Sequence, residues 1–376
     1  MSFKNLKNNK LIKIILIILL VIILILLAVT LFMKFYKPFG GNISKEDRKD
    51  YSNRASNYYD GKFHNEDEFS LMSHGDEENE FTSNKGDTPQ DEIPIKTPSF
   101  LSNPKKDDLT ITFLGHSSLL IQIDGLNVLF DPVFSDIASP VSFIGPKRFS
   151  KVPIKVEDLP KIDIVIITHD HYDHLDYNTI KELNEKTDNF IVPLGIENDL
   201  ERWGINKDKI TNLAWWEEVK IKDLTIIETP ARHYSGRKIV DNYETLWASF
   251  VLISDNYTIF ESGDTGYGNH FKEISNKYGP FDLATLDTGQ YDVNWKNVHM
   301  TPKESVNAAL DLNATYAMPI HYGAFKLANH PWDDPLEGFT SYANKNNVNY
   351  VTPMIGEIIN YKNISDYKNN WWKNIK

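Results

Sequence analysis

The sequence predicts a mixed α/β layered domain preceded by a membrane-spanning helix. Three observations predict this fold class. An apolar run of 20 residues lies near the N-terminus, at 14–33. From residue 109 onward, short stretches rich in β-branched residues and bounded by Gly and Asp predict many strands. Segments with helical spacing lie between those strands, a pattern typical of one layered domain, here of about 270 residues.

The apolar run at 14–33 contains no charged residue and no proline. At about 1.5 Å per residue it spans about 30 Å, which is the thickness of the hydrocarbon core of a bilayer. The alternative is a cleaved signal peptide, whose apolar stretch is about 7–15 residues long and ends in small residues. Because this run is longer and ends in Leu31-Phe32-Met33, we expect an uncleaved anchor.

Lysines on both sides of the run bear on its orientation. The basic N-terminal flank, 1–13, carries four lysines, and two more follow the run by residue 37. This difference modestly favours an N-terminus inside the cell and a body outside it. We therefore expect a single-pass protein of the cell membrane whose main domain is extracytoplasmic.

The segment 34–100 is polar and acidic. Residues 41–100 contain 14 acidic and 7 basic side chains, so −7 of the net charge of −12 lies here. A composition with so little apolar periodicity predicts a solvated stalk. The aromatic residues within 58–65 are the exception, and we expect them to dock on the body, so that the stalk is partly docked.

The body, 101–376, contains the predicted strands and helices. Strands are predicted at 109–114, 118–123, 127–130, 163–168, 190–193, 224–229, 247–253, 258–262, 283–287, 316–319 and 349–352. Helices are predicted at 177–186, 197–203 and 302–310. The last begins with Thr301 as cap, Pro302 in the first turn and Glu304 closing a capping box.

The composition excludes several classes of protein. The chain has no cysteine, which rules out disulfides, Cys-ligated zinc, iron–sulfur clusters and Cys nucleophiles. Its net charge of −12 makes nucleic acid an unfavourable partner, since nucleic-acid binders present basic surfaces. We therefore expect no nucleic-acid partner.

One short motif concentrates the histidines. Three of the 11 histidines fall within His169-Asp170-His171-Tyr172-Asp173-His174, directly after the predicted buried strand at 163–168. Loops at the carboxyl ends of such strands are where α/β proteins place their chemistry. Imidazoles and carboxylates are good ligands for a divalent ion. A His-rich surface loop without function is the weaker alternative, because these side chains have no packing use there.

Three further candidates, His233, Asp264 and His321, each lie within four residues of the end of a predicted strand. Taken singly, each could equally be a capping or core residue. Four strand ends that each present a histidine or an aspartate are best explained as one rim around a shared site. The sequence therefore predicts a metal site at one edge of the strands.

Several blocks of the sequence indicate a family. They are Gly115-His116-Ser117-Ser118, Phe130-Asp131-Pro132-Val133-Phe134-Ser135, Gly145-Pro146-Lys147-Arg148-Phe149, the histidine motif, Trp215-Trp216, Arg232-His233, Gly263-Asp264-Thr265-Gly266-Tyr267 and Ile320-His321-Tyr322-Gly323. In these blocks the chain resembles the metallo-β-lactamase fold superfamily. It is most similar to the branch that contains the phospholipase D hydrolysing N-acylphosphatidylethanolamine and its bacterial relatives.

The resemblance implies a four-layer αβ/βα sandwich and a binuclear metal site. The first ion would be held by His169, His171 and His233, the second by Asp173, His174 and His321, with Asp264 bridging both. Zinc is favoured for this set of donors, although Mn²⁺ or Fe could occupy it.

The resemblance also suggests roles around the metals. Asp173 and Asp264 would be catalytic, holding and steering a metal-bridging hydroxide that attacks the substrate. Asp131 would orient a metal ligand. His116 is expected either to do the same or to contact substrate, and a purely structural role is about as well supported.

The chain departs from the branch near the expected substrate channel. The phospholipase has an apolar pair before its Gly-Ala-Tyr, whereas this chain has Leu286-Asp287-Thr288-Gly289-Gln290-Tyr291. Asp287 and Gln290 therefore place polar groups near that channel, and both join Tyr322 as candidate positioning or substrate-contacting residues. His299 precedes the capped helix and is a third catalytic candidate, which would protonate a leaving group or merely pack.

These features together predict a membrane-anchored, binuclear-zinc hydrolase. The favoured activity is a phosphodiesterase of phospholipase D type acting on (N-acyl) phospholipids. A lactonase or other ester or amide hydrolase using the same site is the alternative among enzymes, and a non-catalytic metal-binding membrane scaffold is the alternative outside catalysis. The expected partners are a phospholipid or small-molecule ester and the membrane, and a homodimer is left open.

Overall fold

The computed structural model describes residues 10–73, 79–238 and 241–376. Most of the predicted basic flank, 1–9, lies outside the described residues. The strands in chain order are β1 (Tyr58–Tyr59), β2 (Lys62–Phe63), β3 (Leu109–Gly115), β4 (Ser118–Ile123), β5 (Leu126–Phe130), β6 (Ile162–Ile166), β7 (Thr187–Pro193), β8 (Ile210–Leu213), β9 (Glu218–Ile221), β10 (Leu224–Thr229), β11 (Ser249–Ile253), β12 (Thr258–Glu261), β13 (Phe281–Asp287), β14 (Ala314–Ile320) and β15 (Ile358–Asn360). The α-helices are α1 (Lys10–Phe35), α2 (Lys45–Arg54), α3 (Tyr177–Leu183), α4 (Glu197–Trp203), α5 (His270–Tyr278), α6 (Pro302–Asp311) and α7 (Asp334–Lys345).

Two large mixed sheets form the centre of the body. One has seven strands in the order β15-β3-β4-β5-β6-β7-β8, and the other has six in the order β14-β13-β12-β11-β10-β9. The strands are rich in β-branched and aromatic residues, and most are buried on both faces. A sheet of this kind must be covered on both sides, which is why helices occupy the outer faces.

The packing produces four layers. The inner faces of the sheets meet in one core that includes Ile121, Phe130 and Ile166 from one sheet and Phe250 and Leu283 from the other. Helices α3 and α4 cover the outer face of the seven-stranded sheet. Helices α5, α6 and α7 cover the outer face of the six-stranded sheet. The predicted αβ/βα sandwich is confirmed.

The strand directions bring the candidate residues to one edge. Strands β5, β6, β7 and β8 run parallel to one another, and so do β12, β13 and β14. Parallel neighbours end at the same edge of a sheet, and that edge is where the loops after β5, β6, β12, β13 and β14 lie.

Most predicted elements are present, with one error. The helix at 302–310 is confirmed as α6, with Thr301 and Glu304 forming the capping box. The strand predicted at 349–352 is wrong, because that stretch makes only an isolated bridge between Tyr350 and Ala317. Its apolar residues serve the core rather than a ladder, since Tyr350 packs beside Phe339 of α7.

No residue of helix α1 is buried along its apolar stretch. Within the span Ile12–Phe35, an 18-residue window has a mean hydropathy of 3.8, and the span is long and apolar enough to cross a membrane. Directly after it, a short 3₁₀ helix, Lys37–Phe39, lies against α4 of the body.

The segment predicted as a stalk makes extensive contact with the body. Tyr51, Tyr58 and Phe63 are buried in a small apolar cluster with Leu194 and Trp247 of the body. This burial explains the contact, because the aromatic residues of an otherwise acidic stretch are removed from water only by packing on the domain.

Charged side chains reinforce this contact. Arg54 at the end of α2 donates hydrogen bonds to Glu217 at 2.5 Å and to the carbonyl oxygen of Asn212 at 2.9 Å. A basic side chain of this largely acidic segment therefore pairs with the body, and α2 and the β1–β2 hairpin form part of the surface of the body.

We expect Phe63→Ala to lower the free energy of unfolding by about 3–5 kcal/mol, because it removes a ring that is 1% exposed and leaves a cavity. The matched control is Tyr59→Ala in the same hairpin, where the ring is 50% exposed and a change within about 0.5 kcal/mol is expected. Urea unfolding of both full-length variants checks this. Equal shifts would contradict the packing described for the segment.

Candidate metal centre

The histidine motif begins three residues after β6 ends and forms a tight turn. The backbone N–H groups of His174 and Leu175 both donate to the carbonyl oxygen of His171, at 3.0 and 2.8 Å. This turn directs the imidazoles of His169, His171 and His174 to a common region. The sequence signal of closely spaced histidines after a buried strand therefore corresponds to one structural unit.

One carboxylate oxygen lies at the centre of the cluster. Asp264 Oδ2 is 3.1 Å from His174 Nε2 and 3.2 Å from His321 Nε2. It is 3.8 Å from His169 Nε2 and 3.9 Å from His233 Nε2. Gly263, with φ of +55°, makes the turn that places Asp264 here, and a Cβ at that position would meet the carbonyl oxygen of Ala248 at 2.7 Å.

The other predicted donors complete the cluster. His171 Nδ1 lies 2.9 Å from His169 Nε2 and 3.3 Å from His233 Nε2. Asp173 Oδ2 lies 3.6 Å from His174 Nε2. The structure thus brings together all seven residues predicted as ligands: His169, His171, Asp173, His174, His233, Asp264 and His321.

The donor atoms of the predicted ligands fall into two groups that share no residue. His169, His171, His233 and Asp264 offer atoms within 4.8 Å of one another, and so do His116, Asp173, His174 and His321. The first group contains the predicted first-ion ligands, and the second contains the predicted second-ion ligands together with His116.

In several of these histidines, a hydrogen bond holds the ring nitrogen that points away from the cluster. His233 Nδ1 donates to the carbonyl oxygen of Val298 at 3.0 Å, and His174 Nδ1 bonds Asp131 Oδ2 at 2.7 Å. Thr168 Oγ1 donates to the same Asp131 at 2.6 Å and so accepts from His169 Nδ1 at 3.0 Å. A neutral ring that donates through Nδ1 carries a lone pair on Nε2, and these lone pairs point into the cluster.

Burial favours neutral imidazoles. It lowers the pKa of His171 to about 3 and lowers the pKa values of His169, His233 and His321 well below the ordinary value. His174 behaves oppositely. Burial would lower its pKa, but the carboxylates of Asp264, Asp173 and Asp131 raise it.

Buried atoms without partners show that the cluster fits a cation. His174 Nε2, His321 Nε2 and Asp264 Oδ1 are buried and make no hydrogen bond to another described atom. Burial also raises the pKa of Asp264 to about 6. Buried polar atoms without a partner destabilise the folded protein unless a bound group satisfies them. Lone pairs that converge on one point suit a divalent ion. The described His and Asp groups can therefore bind metal.

Asp131 and His116 lie behind the ligand candidates. Asp131 accepts from the Thr168 backbone N–H at 2.8 Å and holds His174, which agrees with a positioning role. His116 Nε2 lies 2.9 Å from Asp173 Oδ2 and is fully buried. Both residues have positive φ, +38° and +58°, a strained conformation that concentrates at functional sites.

Asp287 and His299 form a pair at the wall of the site. Asp287 Oδ2 lies 2.9 Å from His299 Nδ1 and accepts from the Thr265 backbone N–H at 3.1 Å. His299 Nδ1 is also 4.0 Å from Asp264 Oδ2. The pair places an oriented imidazole beside the cluster.

The last two predicted residues have different surroundings. Gln290 holds the loop after β14, because its Oε1 accepts from the N–H groups of Leu327 and Ala328 and its Nε2 donates to the carbonyl oxygen of Phe325. Tyr322 packs on Phe113 in the core between the sheets. Its link to the site is its carbonyl oxygen, which accepts from the His116 N–H at 3.1 Å.

Sequence reasoning missed residues that reach the site from elsewhere. Asn65, beside the hairpin of the N-terminal segment, donates to the carbonyl oxygen of His233 at 2.8 Å and accepts from its N–H at 3.1 Å. Arg237 donates to the carbonyl oxygens of Asp170 and Leu175 and so holds the histidine turn. Neither residue belongs to a local sequence motif. The one signal in the sequence is that Asn65 stands at the end of the aromatic stretch at 58–65.

A cavity of about 470 Å³ opens over the cluster. Its polar wall is formed by His171, Tyr172, Asp173, Tyr234, Asp264, Gln290, His299 and His321. Its apolar wall is formed by Leu71, Met72, Ala138, Trp295, Val298 and Leu327. A lining that includes both a reactive cluster and apolar side chains suits a substrate with a polar reacting group and an apolar remainder.

Comparisons with known proteins agree with this geometry. A family model described as "Beta-lactamase superfamily domain" matches residues 126–322. An uncharacterized protein of Mycobacterium tuberculosis is 37% identical over 316 residues, which cover 81% of this chain and 84% of the relative. N-acyl-phosphatidylethanolamine-hydrolyzing phospholipase D 1 of Caenorhabditis elegans is 34% identical over 267 residues, covering 66% of this chain and 75% of the relative.

A solved structure supports the fold. Igni18, a metallo hydrolase of Ignicoccus hospitalis, aligns with a TM-score of 0.53 and 23% identity, covering 67% of this chain and 98% of that chain. The matched family region contains all seven ligand candidates. The chain therefore belongs to the metallo-β-lactamase superfamily, and it is a metal-dependent hydrolase with homologues among the N-acylphosphatidylethanolamine-hydrolysing phospholipases D.

Proposed function

We propose that this protein is a membrane-anchored, binuclear-zinc phosphodiesterase of phospholipase D type that acts on (N-acyl) phospholipids. The observation that carries the proposal is the convergence of four imidazole nitrogens on Asp264 Oδ2 beneath a cavity with an apolar wall. The phospholipase relative supports the choice of substrate class.

The donor set suits two ions. His169, His171 and His233 would hold one, and Asp173, His174 and His321 the other, with Asp264 shared. Nitrogen and carboxylate donors without sulfur favour zinc and also accept Mn²⁺ or Fe. When bound, such a pair of ions activates water and stabilises the charge that develops on the reacting oxygens.

Several side chains of the chain would act around the reacting group. His116 holds Asp173 in place through the 2.9 Å contact, so the catalytic carboxylate faces the cavity in a fixed orientation. His299, oriented by Asp287, faces the same cavity and would give a proton to the leaving oxygen. The apolar wall would exclude water from the reacting group and accept the lipid portion of the substrate.

The anchor supports a lipid substrate. Helix α1 is long enough to span a bilayer, and the chain that follows it is fixed to the body, since Trp203 Nε1 donates to the carbonyl oxygen of Lys37 at 2.8 Å. The catalytic domain would therefore stay at the membrane surface, on the extracytoplasmic side in a single-pass arrangement. The homodimer stays a prediction.

We expect His169→Ala to lose bound metal, because it removes a nitrogen from the centre of the cluster. His64→Ala is the matched control, because it also removes an imidazole but outside the cluster. His64 lies in the N-terminal segment, where its ring stacks on the exposed ring of Tyr59 at 3.6 Å. Elemental analysis of the purified full-length proteins provides the comparison. A His169→Ala protein with the same metal content as the wild type would refute the assigned ligands.

We expect His299→Gln to retain metal but to lower kcat for diesters by about 100-fold or more, because a proton donor is lost. The loss should be larger for an alkyl leaving group, which needs protonation, than for p-nitrophenolate, which does not. Steady-state kinetics on both kinds of diester measure the difference. Equal losses would indicate that His299 only packs.

We expect the full-length protein in vesicles of total membrane lipids to release phosphatidic acid and the headgroup alcohol, and a chelator to stop the release. Mass spectrometry of the lipid products checks this, with Asp264→Asn as the inactive control. Turnover of a lactone or carboxylic ester but of no phosphodiester would favour the other hydrolases. Absence of chelator-sensitive turnover on any ester would favour a metal-binding scaffold.

A further inference from the structure

The loop 138–147, here called the apolar loop, exposes two adjacent hydrophobic side chains. Phe143 is 82% exposed and Ile144 is 66% exposed. Phe143 is the most exposed large hydrophobic side chain in the described ranges. Isolated exposed hydrophobic residues are ordinary on protein surfaces, but a neighbouring Phe and Ile at a loop tip indicate a surface that contacts something apolar.

The apolar loop is closed firmly at its base. Ile137 and Lys147 form a β-bridge, and the Ala138 N–H donates to the carbonyl oxygen of Pro146 at 3.0 Å. Gly145, with φ of +132°, lets the two sides approach, since a Cβ there would meet Ser139 Cβ at 2.6 Å. The tip is therefore held away from the body by an ordered base.

The loop lies beside the end of helix α1. A cavity of about 450 Å³ is lined on one side by Tyr36 and Pro38, which follow the helix, and on the other by Ser142 and Lys147 of the loop. The tip is thus next to the point where the chain would leave a bilayer crossed by α1.

The exit of the chain is fixed relative to the loop. Arg237 Nη2 donates to the carbonyl oxygen of Pro38 at 2.9 Å, and Arg202 Nη2 donates to that of Lys34 at 2.6 Å. The Gly41 N–H donates to Asp199 at 2.5 Å. These bonds attach the chain after α1 to the body at several points, so the end of the helix and the loop keep their relative positions.

The loop also touches the catalytic cavity. Ala138, at its base, lines the cavity over the metal cluster. Tyr172 lines both that cavity and the cavity beside Tyr36, and its ring lies under the Arg237 guanidinium at 4.1 Å. Tyr172 therefore lies between the cavity beside the end of α1 and the cavity over the cluster.

We propose that Phe143 and Ile144 insert into the interfacial region of the same bilayer that α1 crosses, and that substrate lipid enters the catalytic cavity along the base of this loop. The inference rests on the proposed membrane anchoring. Insertion of adjacent apolar side chains flanked by basic ones is how peripheral segments bind membranes, and the exposed Lys37 and Lys147 would face anionic headgroups.

The absence of cysteine permits a direct test in the full-length protein. Single variants Phe143→Cys, Ile144→Cys, Leu24→Cys and Leu310→Cys are labelled with an environment-sensitive fluorophore and reconstituted into phosphatidylcholine–phosphatidylglycerol vesicles. Lipids spin-labelled near the headgroup or near the middle of the acyl chain then serve as quenchers. Leu24 reports the middle of α1, and Leu310, 50% exposed on α6 of the opposite helical layer, reports a surface away from the bilayer.

We expect the shallow quencher to lower emission at positions 143 and 144 by about twofold or more, since interfacial segments sit about 5–10 Å deep. Position 24 should respond most to the deep quencher and position 310 to neither. If position 24 is quenched while 143 and 144 behave like 310, the anchor stands and this inference is overturned. If position 24 is not quenched either, the anchoring itself fails and the inference fails with it.

Discussion

Several buried imidazoles closely approach the carboxylate of Asp264, and the scaffold around the site is organised to hold them there. Asp264 Oδ2 lies within 4.0 Å of nitrogens from five histidines, including His299, in a region almost free of solvent. Rings with lone pairs that face one another beside a buried carboxylate are unfavourable together in a low dielectric. A bound cation removes this conflict, so the scaffold is best understood as holding a geometry that is completed only with metal.

The two sheets supply that geometry by ending their parallel strands at one edge. Local strain accompanies it, since Asp131, Gln290 and His321 adopt positive φ at strand or loop ends beside the cluster. The packing of the apolar core between the sheets fixes the backbone firmly enough to hold these residues in their strained conformation. The N-terminal segment contributes as well, because Asn65 fixes the backbone of His233 through two hydrogen bonds.

Much of the site could be predicted from the sequence because its signals are local. The histidine motif directly follows a buried strand, and Asp264 and His321 follow strand ends, so each position is readable from a few neighbouring residues. The course of 34–100 could not be predicted, because Tyr51 and Phe63 are apolar positions in an acidic stretch whose partners lie more than a hundred residues away. The position of Tyr322 in the core could not be predicted either, because it depends on the packing between the sheets and no local sequence pattern reveals that packing.

The proposed function requires that the cluster around Asp264 hold two metal ions. Anomalous X-ray scattering from crystals of the zinc-loaded protein tests it most directly. We expect two anomalous peaks inside the cluster, one beside His169, His171 and His233 and one beside Asp173, His174 and His321, with Asp264 between them. No peak within the cluster, or zinc bound only at surface carboxylates, would contradict this expectation.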